Sequence, residues 1–193
     1  MSTNLRDRRR RETSREIQLA ALNVALRTGY GAATTEAIAA EPGISPRTFF
    51  NYYCNKQAAI LGQPPVLDVE AGRWIVTSDG PLVDDISRLL GEMLCEERPD
   101  RGILKRIIQV VDQTPELLAV FRKSMDEMTL ALSGLLEARL GREMAFEARL
   151  LAELGTHALS NAVRAWAEGT ICSEDDIRAM TRDQLERVAK LLC

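Results

Sequence analysis

Apolar residues recur every three or four positions through most of this chain, and the interruptions fall at glycine, proline and capping residues. Ile17, Ala20, Ala21, Val24 and Thr28 keep helical spacing and Gly29 follows as a terminating glycine, so the pattern predicts a first helix from about Thr13–Ser14 to Thr28. Residues 34–56 then hold two short helical patterns parted by Pro42-Gly43, a connection short enough to force a sharp turn. Thr34 or Thr35 can cap the first, and Ala37, Ala39 and Ala40 let another helix approach it closely. Ser45 is placed to cap the second, with Pro46 at its first position, where the missing N–H had no partner to lose. Steps of about 100° per residue set Phe49 and Tyr53 on one side of that helix and Arg47 and Asn51 on the other. A short helix anchored by aromatics and showing polar groups outward is suited to a polar partner. Helix-turn-helix modules present such a helix to the major groove of DNA.

The next stretch, 62–80, is rich in breakers and keeps no period; Pro64-Pro65 should end a fourth helix early, leaving a linker around Trp74. That tryptophan either plugs the loop onto a core or forms a lid over a pocket. After Pro81 the pattern is helical throughout. One helix fits 82–97 with Ile86, Leu89, Leu90, Met93 and Leu94 inward, and another fits 102–112 with Ile103, Ile107, Ile108 and Val111 inward. A long helix fits 115–140 with Leu118, Phe121, Met125, Met128, Leu132, Leu135 and Leu136 on one side. Helix 144–168 has Leu150, Leu151 and Leu154 on one flank, and a seam of Ala148, Ala152, Gly155, Leu159, Ala162 and Trp166. Small residues at that spacing let two helices meet tightly. The last helix starts at Ser173, with Asp176 completing a capping box, and carries Ile177, Met180, Leu185, Val188 and Leu192. The chain is therefore all-α: a basic arm over 1–12, a helix-turn-helix domain over 13–61, a linker over 62–80 and a helical domain over 81–193.

Charge sharpens this picture. Residues 1–60 carry nine Lys/Arg against five Asp/Glu, a net of +4, and residues 61–193 carry sixteen against twenty-three, a net of −7, which together give the overall −3. The positive end is the helix-turn-helix end, as phosphate binding requires. Arg6, Arg8, Arg9, Arg10 and Arg11 form either a solubilising tail or an arm that follows phosphates or enters the minor groove. Lys56 follows Asn55, a second N-cap candidate; a cation there opposes the helix dipole, so an external phosphate explains it better. No apolar run reaches the ~18 residues of a membrane span, and no export signal is visible, so a cytoplasmic protein is expected. Cys54, Cys95, Cys172 and Cys193 are scattered without ligand spacing. They predict no metal site and no cofactor, only reduced thiols, with redox sensing by Cys172 and Cys193 as a remote alternative.

The run Ile17-Gln-Leu-Ala-Ala-Leu, Gly29-Tyr30, Thr34-Thr35-x-x-Ile38-Ala39, Gly43-Ile44-Ser45-x-x-Thr48-Phe49-Phe50-Asn51-Tyr52-Tyr53-x-x-Lys56 resembles the N-terminal domain of the tetracycline-repressor (TetR) family over about residues 13–61. The resemblance implies a three-helix DNA-binding domain joined to an all-helical regulatory domain, active as a homodimer on double-stranded operator DNA. It makes 45–53, which includes Ser45 and Thr48, the recognition helix. It sets Pro46 and Arg47 at base-facing positions, Phe50, Asn51 and Tyr52 beside the backbone, and Thr35 and Lys56 on phosphates. It also implies that the last two long helices build the dimer interface, here through the 148–166 seam with Ile177, Leu185, Val188 and Leu192. Four departures stand out. Arg47 replaces a common glycine and is able to read guanine in bidentate fashion. Pro42 replaces the turn alanine and restricts Glu41. Ala25 replaces a core phenylalanine, leaving a volume for another side chain such as Leu26. Asn51-Tyr52 replaces a common tyrosine-histidine pair.

No phosphate-binding glycine loop, nucleophile elbow or metal spacing appears, and His157 is the only histidine, so catalysis is not expected. The expected function is a ligand-responsive regulator, a repressor released from a palindromic operator by an apolar effector. The alternatives are a DNA-binding regulator without an effector and a helical enzyme or binding protein. The pocket is expected among Met93, Phe121, Met125 and Met128, whose flexible thioethers adapt to apolar guests, with Gln109, Gln113 and His157 as orienting groups and Trp74 at the mouth.

Overall fold

The computed structural model describes residues 5–97 and 100–192. It is 78% helical, without a strand among the described residues. Ten α-helices follow in order: α1 (Leu5–Thr28), α2 (Thr35–Ala40), α3 (Pro46–Phe50), α4 (Lys56–Leu61), α5 (Trp74–Thr77), α6 (Leu82–Glu97), α7 (Arg101–Asp112), α8 (Pro115–Leu140), α9 (Ala145–Glu168) and α10 (Glu174–Leu191). Two compact units divide the chain, one of Met1–Pro64 with Arg106–Phe121 and one of Pro65–Lys105 with Arg122–Cys193. The first unit thus takes in the end of α7 and the start of α8 besides the segment expected from the sequence.

In the first unit α1 packs on α2 and α4, and α2 on α3. Ile17, Ala20, Ala21, Leu22, Val24 and Ala25 of α1 are buried, as are Ile38, Ala39, Phe49, Ala59 and Ile60. Leu26 does not fill the volume beside the buried Ala25, since it is 37% exposed. The arm expected over 1–12 is helical from Leu5 onward, eight residues before the expected start. Arginine and glutamate are good helix formers, Asp7 suits the first turn, and Arg8 pairs with Glu12 at 3.0 Å one turn on. At the corner after α2, Gly43 takes φ 71° and the Ile44 N–H bonds the Ala39 carbonyl at 3.0 Å, closing the helix end. Pro42 does not drive Glu41 out of the helical region: Glu41 keeps φ −62°, ψ −48°, held by Arg27 at 2.8 Å.

The core of the second unit draws on α6, α8, α9 and α10, and the linker is stitched to it by buried Leu67 and Ile75. Trp74 packs half-buried against the same core, with the Arg88 guanidinium 4.5 Å above its ring, which is the plug arrangement. The α9 seam is buried within this single chain: Ala148, Ala152, Gly155, Leu159, Ala162 and Trp166 all lie inside, with Ile177 and Leu185 of α10. These eight residues therefore cannot meet a second subunit, and the interface expected from them is corrected. The small side chains serve close packing inside the protomer. A Cβ on Gly155 would stand 2.9 Å from Ile86 Cγ2, so glycine is what lets α9 lie this close to α6. Gly155→Val is expected to cost about 1–3 kcal/mol by overpacking, read as a lower urea midpoint with unchanged molecular mass.

One buried ion pair ties the linker to the helices. Arg139 of α8 bonds Asp85 of α6 at 2.7 Å and the Gly80 carbonyl at 2.7 Å, and Ser78 donates to the same Asp85 oxygen at 2.7 Å. Burial pushes the Asp85 pKa up, but the bonds from Ser78 and Arg139 and the charges of Arg139 and Arg88 outweigh it and hold the value below the usual carboxylate range. The expected capping box is present at α10, where Ser173 accepts from Asp176 N–H at 3.1 Å and Asp176 accepts from Ser173 N–H at 2.8 Å.

Candidate nucleic-acid interface

The presented helix is held from both ends and from beneath. Ser45 Oγ accepts from Thr48 N–H at 3.1 Å and shares a 2.9 Å bond with Thr48 Oγ1, and Pro46 takes the first helical position. Phe49 is fully buried and stands edge-on to Phe50, 5.3 Å between centroids. The half-buried Tyr53 hydroxyl bonds both the hydroxyl (2.8 Å) and the carbonyl (3.0 Å) of Ser14. Burial pushes the Tyr53 pKa up, with the Ser14 bond pulling the other way. With that side fixed, Ser45, Pro46, Arg47, Phe50 and Asn51 are exposed together. Helix α3 is too short to hold its shape alone, so its rigidity comes from these anchors.

The remaining expected contacts divide. Thr34, not Thr35, caps α2, its Oγ1 accepting from Ala37 N–H at 3.1 Å. Thr35 is half-buried and donates to Glu36 at 3.2 Å. Asn55 caps α4 as expected, its Oδ1 accepting from Ala58 N–H at 2.8 Å. Lys56 has partners inside the chain, so an external phosphate is no longer the better explanation of its placement at the start of α4. Its Nζ donates to the Tyr30 carbonyl at 2.7 Å and the Gly31 carbonyl at 3.4 Å, 4.3 Å from the Tyr30 ring centroid. Two carbonyls occupy two of its three N–H groups and leave one for a phosphate. Tyr30, named in the sequence only as the restart after Gly29, is the platform for this lysine. Burial and then Glu116 push its pKa up. Arg8, Arg9, Arg10 and Arg11 are exposed on α1, with Arg10 5.7 Å from the Tyr52 ring centroid.

The residues expected to line an effector pocket do not converge. Met93 and Met128 are buried core residues of the second unit and Met125 packs partly buried beside them, whereas Phe121 belongs to the first unit. Gln109, Gln113 and His157 are exposed, Gln109 and His157 on the outward sides of α7 and α9 and Gln113 in the turn between α7 and α8; His157 Nδ1 lies 2.8 Å from the Glu153 carbonyl one turn back. Val188 is half-buried and Leu192 exposed. Cys54 and Cys172 are exposed free thiols, and Cys193 lies outside the described residues. Among the described residues no three metal-binding side chains come together, and no helix is long and apolar enough to cross a membrane.

Comparison with known proteins agrees with this geometry. Residues 17–60 match the model of the bacterial regulatory proteins of the tetR family. The HTH-type transcriptional regulator TcmR of Streptomyces glaucescens is 28% identical over 148 residues, which cover 72% of this chain and 66% of that protein, just under two thirds of its length. A crystal structure from Mesorhizobium loti, described as a TetR-family transcriptional regulator, aligns with a TM-score of 0.58 at 16% identity over 95% of this chain and 98% of its own. At that identity the likeness speaks for the fold alone.

Proposed function

We propose, from the premise that the chain belongs to the tetR family of bacterial regulatory proteins, that it is a cytoplasmic transcriptional regulator which binds a palindromic operator as a dimer. The observation that carries this reading is the pairing of a buried Phe49 with an exposed Arg47 and Asn51 on the capped helix α3. A fixed backbone lets a guanidinium form two aligned bonds to guanine, whereas a mobile one loses that selectivity. Pro46 and Arg47 take the base edges, Phe50 and Asn51 the adjoining backbone with Tyr52 beside them, and Thr35 and Lys56 the phosphates. The net charge of +4 on residues 1–60 favours the same polyanionic partner.

Anisotropy titrations at stated salt, with DNA from upstream of its own gene and with random DNA of equal length, test the reading. Arg47→Ala is expected to lower operator affinity by about 1–3 kcal/mol and to relax preference at one base pair. Equal losses on operator and random DNA would remove the base-reading role.

Repression relieved by an apolar effector completes the proposal and rests on the family resemblance. A guest of that kind must open the packed core around Met93 and Met128, so it should stabilise the protein while weakening DNA binding. Linkage requires its effect on DNA affinity to equal the effect of DNA on its own affinity. A stabilising ligand that leaves DNA affinity unchanged would favour a regulator without an effector.

A further inference from the structure

Arg6, Arg10 and Ser14 stand one turn apart on the same side of α1. At Ser14 that side is fixed to Tyr53 by the two bonds already described. One turn out, the Arg10 guanidinium lies 5.7 Å from the centroid of the Tyr52 ring, directly beyond the end of α3. Arg8, Arg11 and Arg15 line another side of the helix around Glu12, and Arg8 is paired with Glu12. The two sides differ in what they adjoin: one continues the edge of the presented helix, the other does not.

Arg6 and Arg10 place two positive charges, one turn apart, at the end of α1 where the helix dipole is also positive, and an external polyanion on that side is attracted by all three. We propose that the first turns of α1 are a rigid phosphate clamp, in which Arg10, positioned by its cation–π contact with Tyr52, and Arg6 one turn beyond grip the DNA backbone flanking the half-site read by α3. The inference rests on the operator-binding reading above. It adds a contact that lies before the matched family segment, which starts at residue 17. A helix-borne arginine loses less conformational freedom on binding than one in a flexible tail. A cation–π contact with the ring uses none of the guanidinium N–H groups as conventional hydrogen bonds, so they remain able to bond phosphate oxygens. Tyr52 is a positioning residue in this scheme.

The test uses the full chain on its upstream DNA across a salt series, with helicity checked by circular dichroism. Arg6→Gln with Arg10→Gln is expected to lower affinity about tenfold and to reduce the slope of log affinity against log salt by about two units, one per lost phosphate contact. Arg8→Gln with Arg11→Gln removes the same charge from the other side and is expected to cost less than about threefold. Tyr52→Ala should lower affinity without adding to the Arg10→Gln loss, and Tyr52→Phe should retain it. Equal losses from the two arginine pairs reduce the clamp to a diffuse charge effect and overturn it, as does wild-type affinity in the Arg6/Arg10 pair. Additive losses from Tyr52→Ala and Arg10→Gln remove the positioning role. Those outcomes leave the operator reading intact if Arg47→Ala still relaxes specificity. A wild-type chain that binds no DNA removes both.

Discussion

Replacing Phe146 and Leu150 together by glutamate is expected to turn the proposed dimer into a monomer and to weaken operator binding about 100-fold or more. Both residues lie on α9, four apart, and are 88% and 57% exposed, while Leu191 on α10 is 84% exposed. His157 and Asn161 continue the same side of α9, and Asn161 bonds Gln184 of α10 at 3.1 Å. In the proposed dimer this outer face of the helix pair, rather than the buried seam, meets the second copy, since exposed large apolar side chains are what such an interface covers. Two carboxylates placed in a self-complementary interface meet their own symmetry mates, so the substitution acts twice per dimer. A monomer engages one half-site at a time and loses the effective-concentration gain of the second. Sedimentation velocity at micromolar concentration, followed by titration with operator DNA, checks both parts. A variant that stays dimeric would place the interface elsewhere. Ala152→Glu, by contrast, is expected to unfold the second unit, since it drives a charge into the core.

Arg139→Met should destabilise the second unit by about 3 kcal/mol, because it strands the buried Asp85 carboxylate and frees the Gly80 carbonyl. The Ser78 bond and the Arg88 charge remain on the carboxylate, and with both contributions of Arg139 gone burial weighs more heavily on its titration. In the wild type the folded pKa of Asp85 lies below its unfolded value of about 3.9. Its stabilisation is therefore fully present above that value and lost as pH falls through the lower folded one. In the variant the folded pKa rises above the unfolded value, and the penalty is relieved as pH falls and the acid is protonated. The stability gap between variant and wild type should therefore narrow from pH 7 toward pH 4. Urea unfolding at several pH values measures this. Asp85→Leu combined with Arg139→Met should recover most of the loss, as replacing both members of a buried pair removes the uncompensated charge. A gap that is constant with pH would show that the loss comes from packing and the Gly80 bond alone.

Local chemistry along the chain was enough to place the helices. Capping and breaking residues act within a turn of where they stand, so Ser45-Pro46, Asn55 and Ser173 with Asp176 set their helix starts without help from distant contacts. The two sides of α3 were legible for the same reason, since period alone separates buried Phe49 from exposed Arg47 and Asn51. The start of α1 was not, because a run of arginines reads equally as tail or helix until Glu12, Tyr52 and Tyr53 give it partners.

What the tertiary structure alone decided was which surface meets which. Helical period shows that Ala152, Gly155 and Ala162 share a side, but not whether that side packs on α6 within the protomer or on another copy. The same ambiguity misplaced Gln109, Gln113 and His157, which are exposed, and gave Lys56 an external partner when two carbonyls of the α1–α2 turn were within its reach. Asp85 and Arg139 stand 54 positions apart, and no local pattern announces their bond. Period and capping are short-range properties written in adjacent residues, whereas partners across the core depend on how whole helices are arranged, and that is settled only when the chain closes on itself.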